Sequence, residues 1–367
     1  MRRGSLSAMA FAYGCCFLAF SPSSRSMEIE TKVESLLAKF DGPDRPGACV
    51  AVIHDGTFAF KKGYGLAHLE EKVPVDESTN FRLASVTKQF TAMAILLLKE
   101  QGALEYDDPL SRFFPDFPEI GKRITVRHLL NHTSGLIDYE NVMPQGLTEP
   151  LKDRDVLELL KSQHGTYFTP GTEYRYSNSG YALLALIVEK VSGKPFAAFL
   201  KKHIFSPLGM HDTVAYEKGR STVLRRAYGY KETEAGVVFS DQSLTSSVLG
   251  DGGIYTSVMD YFKWDQALYT ERLVSRKTLE EAFSPARLAD DTLSPYGFGW
   301  RFEEKQGVHV IYHNGSTCGF STAVRRVPER RLSVIVLSNN ANGKAPTLAD
   351  ELLDWLLSQA GQDARGE

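Results

Sequence analysis

Short runs of apolar residues, or of apolar residues mixed with polar ones, lie at the two ends of the chain and are separated by turn residues. Residues 47–53 form one such run, and a second run covers residues 57–64 after the turn signal His54-Asp55-Gly56. Four further segments near the carboxyl terminus alternate with tight turns, at 297–302, 308–313, 320–327 and 332–338. Short apolar or alternating runs bounded by turn residues are typical of strands. The pattern therefore predicts a sheet that is built from both ends of the chain.

The residues between these ends favour helices. Helical periodicity predicts helices at 107–115, 126–130, 153–162, 179–191, 195–204 and 258–269, and a closing amphipathic helix at 346–358. The run that follows Ser85 is apolar on almost every face and contains no glycine or proline before Gly102. A helix that is apolar all round is buried. We therefore expect a central, buried helix that begins near Ser85 and is terminated by Gly102.

Together these elements predict an α+β fold, in which one antiparallel sheet carries a mainly helical insertion. We expect a single domain at residues 27–362. Its sheet lobe would comprise 27–80 and 290–362, and its helical lobe would comprise 81–289. A chain of 367 residues with 43% hydrophobic and 24% charged residues has ample material for such a core.

The charge pattern narrows the choice of partners. The formal net charge is −3, and basic residues are not interleaved with aromatic residues in any block. Nucleic acid is therefore not expected as a partner. After residue 27 no apolar stretch reaches about twenty residues, so we expect no transmembrane helix in the body of the protein.

Residues 1–26 differ from the rest of the chain. Arg2 and Arg3 precede an uncharged apolar run at 6–20, and a segment rich in serine and proline follows. A basic start, a short apolar core and small residues are typical of a secretory signal, although the cleavage site before Pro22 is a poor one. We therefore expect an exported protein, periplasmic or extracellular. The alternative is that Met27 is the true start and the protein is cytoplasmic.

The cysteine and histidine residues do not indicate a metal site. Cys15 and Cys16 fall in the leader, which leaves Cys49 and Cys318, too few for a disulfide framework or a zinc site. The nine histidines are scattered along the chain, which is a normal count for a chain of this length. We therefore expect no cofactor and no metal. A zinc hydrolase remains the alternative, and activity retained in EDTA would dismiss it.

Ser85 and Lys88 are the first candidates for chemistry. Their spacing places both side chains on one face of the first helical turn, where free backbone N–H groups and the helix dipole point. A serine hydroxyl is a weak nucleophile until a neighbouring base removes its proton. Lysine can act as that base when burial and nearby positive charge lower its pKa. The alternative is structural, because serine is a good N-cap and lysine a good helix former.

Two later motifs decide between these interpretations. Tyr176-Ser177-Asn178 and His313-Asn314-Gly315 follow Ser85-Val86-Thr87-Lys88 in this order. Together the three resemble the motifs of the penicillin-recognising serine hydrolases, in the branch of class C β-lactamases, D-alanyl-D-alanine carboxypeptidases and β-lactamase-like esterases. Segments 129–136 and 252–257 are also similar to stretches in that family. The resemblance extends over most of the chain.

The resemblance implies a β-lactamase/transpeptidase-like fold and a serine hydrolase that works through a covalent acyl-serine intermediate. Its substrate would be a small molecule or peptide, such as a peptidoglycan-like amide, a β-lactam or an ester. Ser85 would attack the carbonyl carbon. Lys88 and Tyr176 would remove the serine proton and return a proton to the leaving group. Which of the two is the primary base stays open, as does the oligomeric state.

The resemblance also implies roles for the residues around the substrate. The backbone N–H groups of Ser85 and Ser316 would bind the oxyanion. Gly315 would let the substrate approach the strand edge. Asn178 would hold the substrate's amide carbonyl or brace Lys88. His313 would lower the pKa of Lys88 when charged or bind a substrate carboxylate, and a need for neutral His313 would give an acid limb near pH 6–7.

The third motif departs from one branch of the family. It begins with histidine, where typical class C β-lactamases carry lysine. This favours a carboxypeptidase-like or esterase-like hydrolase. The alternatives are a class C-type β-lactamase and a penicillin-binding sensor that is acylated without turnover. Two further residues are interpreted as structural: His132 as a residue that orders its loop and Asp251 as a turn residue.

Overall fold

A computed structural model describes residues 22–38 and 44–363 of the chain. The α-helices in this part are α1 Pro22–Leu37, α2 Lys88–Glu100, α3 Leu110–Phe113, α4 Val126–Leu130, α5 Asp153–Lys161, α6 Asn178–Ser192, α7 Phe196–Leu200, α8 Ser206–Leu208, α9 Leu249–Gly252, α10 Val258–Ala267, α11 Arg276–Ala282 and α12 Ala345–Asp363. The strands are β1 Ala48–His54, β2 Thr57–Tyr64, β3 Leu66–His68, β4 Val73–Pro74, β5 Phe81–Arg82, β6 Val214–Ala215, β7 Tyr230–Thr233, β8 Gly236–Phe239, β9 Ile254–Thr256, β10 Arg301–Lys305, β11 Val308–Thr317, β12 Phe320–Val327 and β13 Leu332–Ser338.

The main sheet has six antiparallel strands in the order β10-β11-β12-β13-β1-β2. The hairpin of β1 and β2 joins the carboxyl-terminal strands through β1, whose Ala48 lies opposite Ser338 of β13. Strands from both ends of the chain therefore form one sheet, and helices from the middle of the chain pack against it. The fold is α+β.

Side chains alternate between the two faces of the sheet, and both faces are covered. On β1, Val50 and Val52 belong to the core under α1 and α12, and Cys49 and Ala51 belong to the larger core on the opposite face. A central strand that is buried on both faces reads as a continuous apolar run, which is the pattern seen at 47–53.

α2 is the centre of the helical part. Every residue of this helix from Lys88 to Leu98 is buried, and Thr91 Oγ1 donates a hydrogen bond to the carbonyl oxygen of Gly250, 2.7 Å away. Just past the helix, Gly102 adopts a positive φ of 68°, a conformation that glycine adopts without strain. The predicted buried helix is confirmed, with one difference: its first turn, Ala84–Thr87, is a 3-10 helix.

Several other predicted elements are confirmed at their predicted bounds, namely 57–64, 126–130, 320–327 and 332–338. The prediction of a strand at 297–302 is wrong for residues 297–300, because the strand begins at Arg301. Gly299 has a φ of 81°, and a side chain there would approach the Gln89 Cα within 2.9 Å. This segment is therefore a turn that packs against α2. The helix predicted at 195–204 extends further, through a π-helix at Lys201–Phe205.

The predicted leader lies largely outside the described residues, and its export function stays a prediction. The described helix α1 overlaps its last residues, and Ile29 and Val33 of this helix are fully buried against the sheet. In the described part of the chain, none of the helices is both long enough and apolar enough to span a bilayer.

Candidate active site

Ser85 lies in a strained turn at the start of the central helix. Ala84, directly before it, has a φ of 50°, in the left-handed region that costs a residue with a Cβ roughly 1–2 kcal/mol. Ala84 and Val86 are buried, whereas Ser85 is partly exposed. The turn therefore directs the serine hydroxyl outward. Backbone strain of this kind is concentrated at functional sites.

The edge of β11 is held against this turn by two contacts. Thr322 Oγ1 on β12 donates a hydrogen bond to the carbonyl oxygen of Leu83, 2.8 Å away. A Cβ at Gly315 would lie 2.2 Å from the same oxygen and 3.1 Å from the Ala84 Cβ. Gly315 was expected to make room for substrate, but the protein's own backbone fills that space. Its role in the structure is to bring Ser316 and the strand edge close to Ser85.

Lys88 connects Ser85 to the helical part of the molecule. Its side chain is 0% exposed, and Nζ lies 3.2 Å from Ser85 Oγ, 2.8 Å from Asn178 Oδ1 and 3.0 Å from the carbonyl oxygen of Asp251. The predicted proximity of Ser85 and Lys88 is therefore present in the structure.

The two other partners of Lys88 decide where a neutral amine would point its lone pair. A neutral amine has two N–H donors and one lone pair, and both Asn178 Oδ1 and the Asp251 carbonyl oxygen can only accept hydrogen bonds. The N–H groups are therefore directed to these two oxygens. The lone pair is left facing Ser85 Oγ, which is the arrangement that a general base for this hydroxyl requires.

The orientation of the Asn178 side chain is set by Glu140. Asn178 Nδ2 donates to Glu140 Oε1 at 3.0 Å, and a carboxylate can only accept this bond, so Oδ1 must face Lys88. The backbone N–H of Asn178, at the start of α6, donates to Asp138 Oδ2 at 2.7 Å. Of the two roles expected for Asn178, this geometry matches the brace for Lys88.

Tyr176 lies beside Lys88. The lysine Nζ is 4.9 Å from the centroid of its ring, on the scale of a cation–π contact. The Tyr176 hydroxyl is buried and has no hydrogen-bond partner among the described residues. Buried polar groups normally have a hydrogen-bond partner. Because this hydroxyl has none among the described residues, we expect a bound substrate to supply one.

His132 supports the Tyr176 loop, in line with its predicted structural role. Its ring packs 4.3 Å from that of Tyr176, and Nδ1 accepts a hydrogen bond from the Ser177 N–H at 3.2 Å. Burial, reinforced by the positive charge of Lys88, holds the pKa of His132 well below its usual value. A neutral ring is the form that can accept the bond from Ser177.

His313 is buried beneath the strand edge, with 2% of its surface exposed. Nε2 lies 2.8 Å from the Tyr296 hydroxyl, and Nδ1 lies 2.7 Å from the carbonyl oxygen of Asn314. The carbonyl can only accept, so Nδ1 carries the proton and Nε2 accepts from Tyr296. Burial, together with the charge of Lys88, lowers the pKa of His313 to about 3.

This geometry corrects two expectations for His313. A ring that is neutral down to about pH 3 supplies no positive charge to lower the pKa of Lys88 at neutral pH, and it produces no acid limb near pH 6–7. A buried ring with both nitrogens occupied is also not placed to bind a substrate carboxylate. The sequence interpretation was wrong because the position of Tyr296 over this ring is a tertiary contact.

The low pKa of His313 makes stability depend on pH. The unfolded residue has a pKa of about 6.5, so between pH 6.5 and 3 the unfolded state binds more protons and the free energy of unfolding decreases as the pH falls. Between pH 7 and pH 5 this group removes about 2 kcal/mol of stability. We expect urea unfolding to show this additional loss in the wild type relative to His313→Gln. An equal loss in both proteins would contradict the buried neutral ring.

Sequence reasoning missed three residues of the site. Glu140 orients Asn178, Thr322 clamps the Ser85 turn, and Asp251, interpreted as a turn residue, supplies an acceptor to Lys88. Glu140 and Thr322 lie in no motif. The glycine-rich segment around Asp251 indicated a tight backbone turn, which is the one signal that pointed to this region.

The chain matches a known family model and several known proteins. The family model described as Beta-lactamase matches residues 33–359. Penicillin-binding protein 4* of Bacillus subtilis (strain 168) is 37% identical over 305 residues, which cover 79% of this chain and 67% of that protein. The D-aminopeptidase of Gluconobacter oxydans (strain 621H) is 30% identical over 323 residues, which cover 86% of this chain. The chain spans only 59% of the D-aminopeptidase.

Solved structures show the same fold. The octameric penicillin-binding protein homologue from Pyrococcus abyssi has a TM-score of 0.78 at 27% identity, over 90% of this chain and 77% of that one. The D-amino acid amidase from Ochrobactrum anthropi SV3, complexed with L-phenylalanine amide, has a TM-score of 0.77 at 25% identity, over 91% of this chain and 99% of that one.

Proposed function

This chain belongs to the beta-lactamase family of serine hydrolases, and we propose that it cleaves small amides of D-amino acids through an acyl-serine intermediate. The observation that carries the proposal is the hydrogen-bonded chain from Glu140 through Asn178 and Lys88 to Ser85. This series of hydrogen bonds positions Lys88 as a base for Ser85 and places the Glu140 carboxylate next to the site.

The proposed reaction has two halves. In the first, Lys88 takes the proton of Ser85 as Oγ attacks the substrate carbonyl, and the N–H groups of Ser85 and Ser316 bind the oxyanion. The Tyr176 hydroxyl protonates the leaving amine and is then reprotonated from Lys88. In the second half, Lys88 takes a proton from the attacking water, the bond between the acyl carbon and Ser85 Oγ breaks, and Oγ receives that proton as the acid is released. The direct contact with Ser85 favours Lys88 as the primary base, and the unpaired hydroxyl favours Tyr176 as the proton carrier.

The carboxylate of Glu140 supports a substrate with a free α-amino group. Glu140 is exposed, and the side chain of Asn178 lies between it and Lys88 and is hydrogen-bonded to both. A protonated amine next to the scissile carbonyl would complement its charge. The names of two similar proteins, a D-aminopeptidase and a D-amino acid amidase, indicate substrates of this class.

A panel of substrates tests the proposal. We expect the highest kcat/KM for D-alanine p-nitroanilide, with lower values for its L enantiomer and for the N-acetylated D form. A peptide ending in D-Ala-D-Ala, p-nitrophenyl butyrate and nitrocefin represent carboxypeptidase, esterase and β-lactamase activities. A higher kcat/KM for any of these three would replace the amidase proposal with the corresponding activity.

Glu140→Gln is expected to reduce the preference for a free amino group. Loss of a charge-assisted hydrogen bond should lower the ratio of kcat/KM for the free amine to that for the N-acetyl substrate by about 10-fold or more. The ratio is the informative measurement, because any effect on Asn178 and Lys88 changes both substrates equally. Glu351→Gln, on the exposed side of α12, is the matched control. An unchanged ratio in Glu140→Gln would assign amine recognition elsewhere.

The second candidate function is a penicillin-binding protein that is acylated without turnover. It is favoured by the 37% identity to penicillin-binding protein 4*. Intact mass after incubation with a fluorescent penicillin distinguishes the two candidates. A stable adduct with no turnover of any panel substrate would favour the binding protein, and release of the adduct within the assay would favour the hydrolase.

A further inference from the structure

The acceptor that Asp251 presents to Lys88 belongs to a rigid turn. The single turn of α9 is held by the Asp153 carboxylate, which accepts hydrogen bonds from the N–H groups of Leu249 at 2.9 Å and Gly250 at 3.0 Å. On its other side, Arg82 Nε donates to the Gly252 carbonyl oxygen at 3.1 Å. Groups from distant parts of the chain therefore fix the position of the Asp251 carbonyl oxygen.

The side chain of Asp251 makes a separate, buried contact. It is 7% exposed, and the hydroxyl of Tyr139 donates to its Oδ2 at 3.0 Å. Burial raises the pKa of this carboxyl to about 7, and the charge of Lys88 opposes that shift. Burying an acidic side chain lowers the stability of the fold unless the side chain is hydrogen-bonded. A residue that only formed the turn would not require a buried carboxyl group.

Tyr139 links this contact to the second acceptor of Lys88. It precedes Glu140, which orients Asn178, and its own N–H donates to Ser179 Oγ at 2.8 Å, next to Asn178 on α6. One partner of Lys88 is thus the backbone of Asp251, and the other is held by the loop that the Asp251 side chain binds. The bond between Asp251 and Tyr139 is the direct connection between the two supports.

We propose that Asp251 is a positioning residue for the reaction. Through Tyr139 it joins the two hydrogen-bond acceptors that aim the Lys88 lone pair at Ser85. The inference deepens the proposed function and rests on it. Loss of the contact lets the two acceptors move independently, and the amine no longer faces the serine hydroxyl. A misplacement of about 1 Å at a reacting group costs on the order of 10²-fold in rate.

The experiment measures the acylation rate of Ser85 by a fluorophosphonate, together with kcat and KM on the preferred amide. Asp251→Ala is expected to lower the acylation rate and kcat about 10²-fold while KM changes little. Asp251→Asn should retain a rate within a few-fold of the wild type, because its side-chain oxygen still accepts from Tyr139. Tyr139→Phe should resemble Asp251→Ala, and the double variant should be no slower than Asp251→Ala alone.

A matched control separates positioning from folding. Tyr230→Phe also removes a buried hydroxyl that donates to a carboxylate, that of Glu70, and its other hydrogen bond, accepted from the Leu69 N–H, also lies outside the hydrogen bonds of Lys88. It is expected to lower the thermal midpoint without lowering the acylation rate. If Asp251→Ala does not fold, Asp251→Asn and Tyr139→Phe carry the test.

Two results would overturn the inference. One is wild-type acylation of Tyr139→Phe, and the other is a double variant whose loss equals the product of the single losses. Both leave the proposed function intact. Absence of any Ser85 adduct in the wild-type protein would instead remove the proposed reaction and this inference with it.

Discussion

Ser85→Ala is expected to abolish the covalent adduct that the wild-type protein forms with a fluorophosphonate and to lower kcat on the preferred amide by on the order of 10⁶-fold. The reason is geometric. Ser85 is the partly exposed hydroxyl at the end of the lysine's hydrogen bonds, and the left-handed Ala84 turn directs it outward. No other step of the proposed reaction can begin without it.

The measurement is intact mass before and after labelling, with steady-state rates on the same samples. Ser162→Ala, which alters an exposed serine at the end of α5, is the control and should label fully. The variant should keep the wild-type thermal midpoint within a few degrees, because Ser85 contributes little buried surface. A single adduct of normal stoichiometry in Ser85→Ala would refute the assignment of the nucleophile.

Lys88→Met is expected to slow acylation by about 10³-fold or more, which is the loss expected when a general base is removed. Methionine is preferred to alanine for this test because Lys88 is fully buried, and a similar volume limits the cavity. The acylation rate is measured by stopping the fluorophosphonate labelling reaction at successive times, and it is expressed per molecule of folded protein.

Tyr176→Phe is the informative comparison. A fluorophosphonate releases fluoride, which leaves without needing a proton. An amide substrate releases an amine, which must be protonated as it leaves. If Tyr176 is the proton carrier, its variant should be labelled by fluorophosphonate at close to the wild-type rate and should lose activity on amides. If Tyr176→Phe lost labelling as completely as Lys88→Met, Tyr176 and not Lys88 would be the primary base.

The parts of this fold that were predictable are those fixed by local pattern. Strands 320–327 and 332–338 were found at their bounds because each is a short segment that contains β-branched residues and lies between turn residues. The contact between Ser85 and Lys88 follows from helical spacing and needs no knowledge of the rest of the chain. The motif order identified the other side chains that surround it.

The parts that were missed depend on contacts between distant segments. The burial of His313 depends on Tyr296, and the role of Asp251 depends on Tyr139, so neither follows from local spacing. The tight fit of Gly315 depends on the carbonyl oxygen of Leu83, more than two hundred residues earlier. A sequence pattern reports which residue types are present, whereas their protonation and orientation are set by neighbours that only the fold brings together.

The pairing of β1 with β13 has a consequence for synthesis on the ribosome. Ser338 Oγ donates to the carbonyl oxygen of Gly47 across a separation of 291 residues. At about 5–20 residues per second, the nascent amino-terminal hairpin waits roughly 15–60 seconds for its partner strand to be translated. During that interval its apolar faces have no native cover, so chaperones that shield exposed strands would be needed most before translation ends.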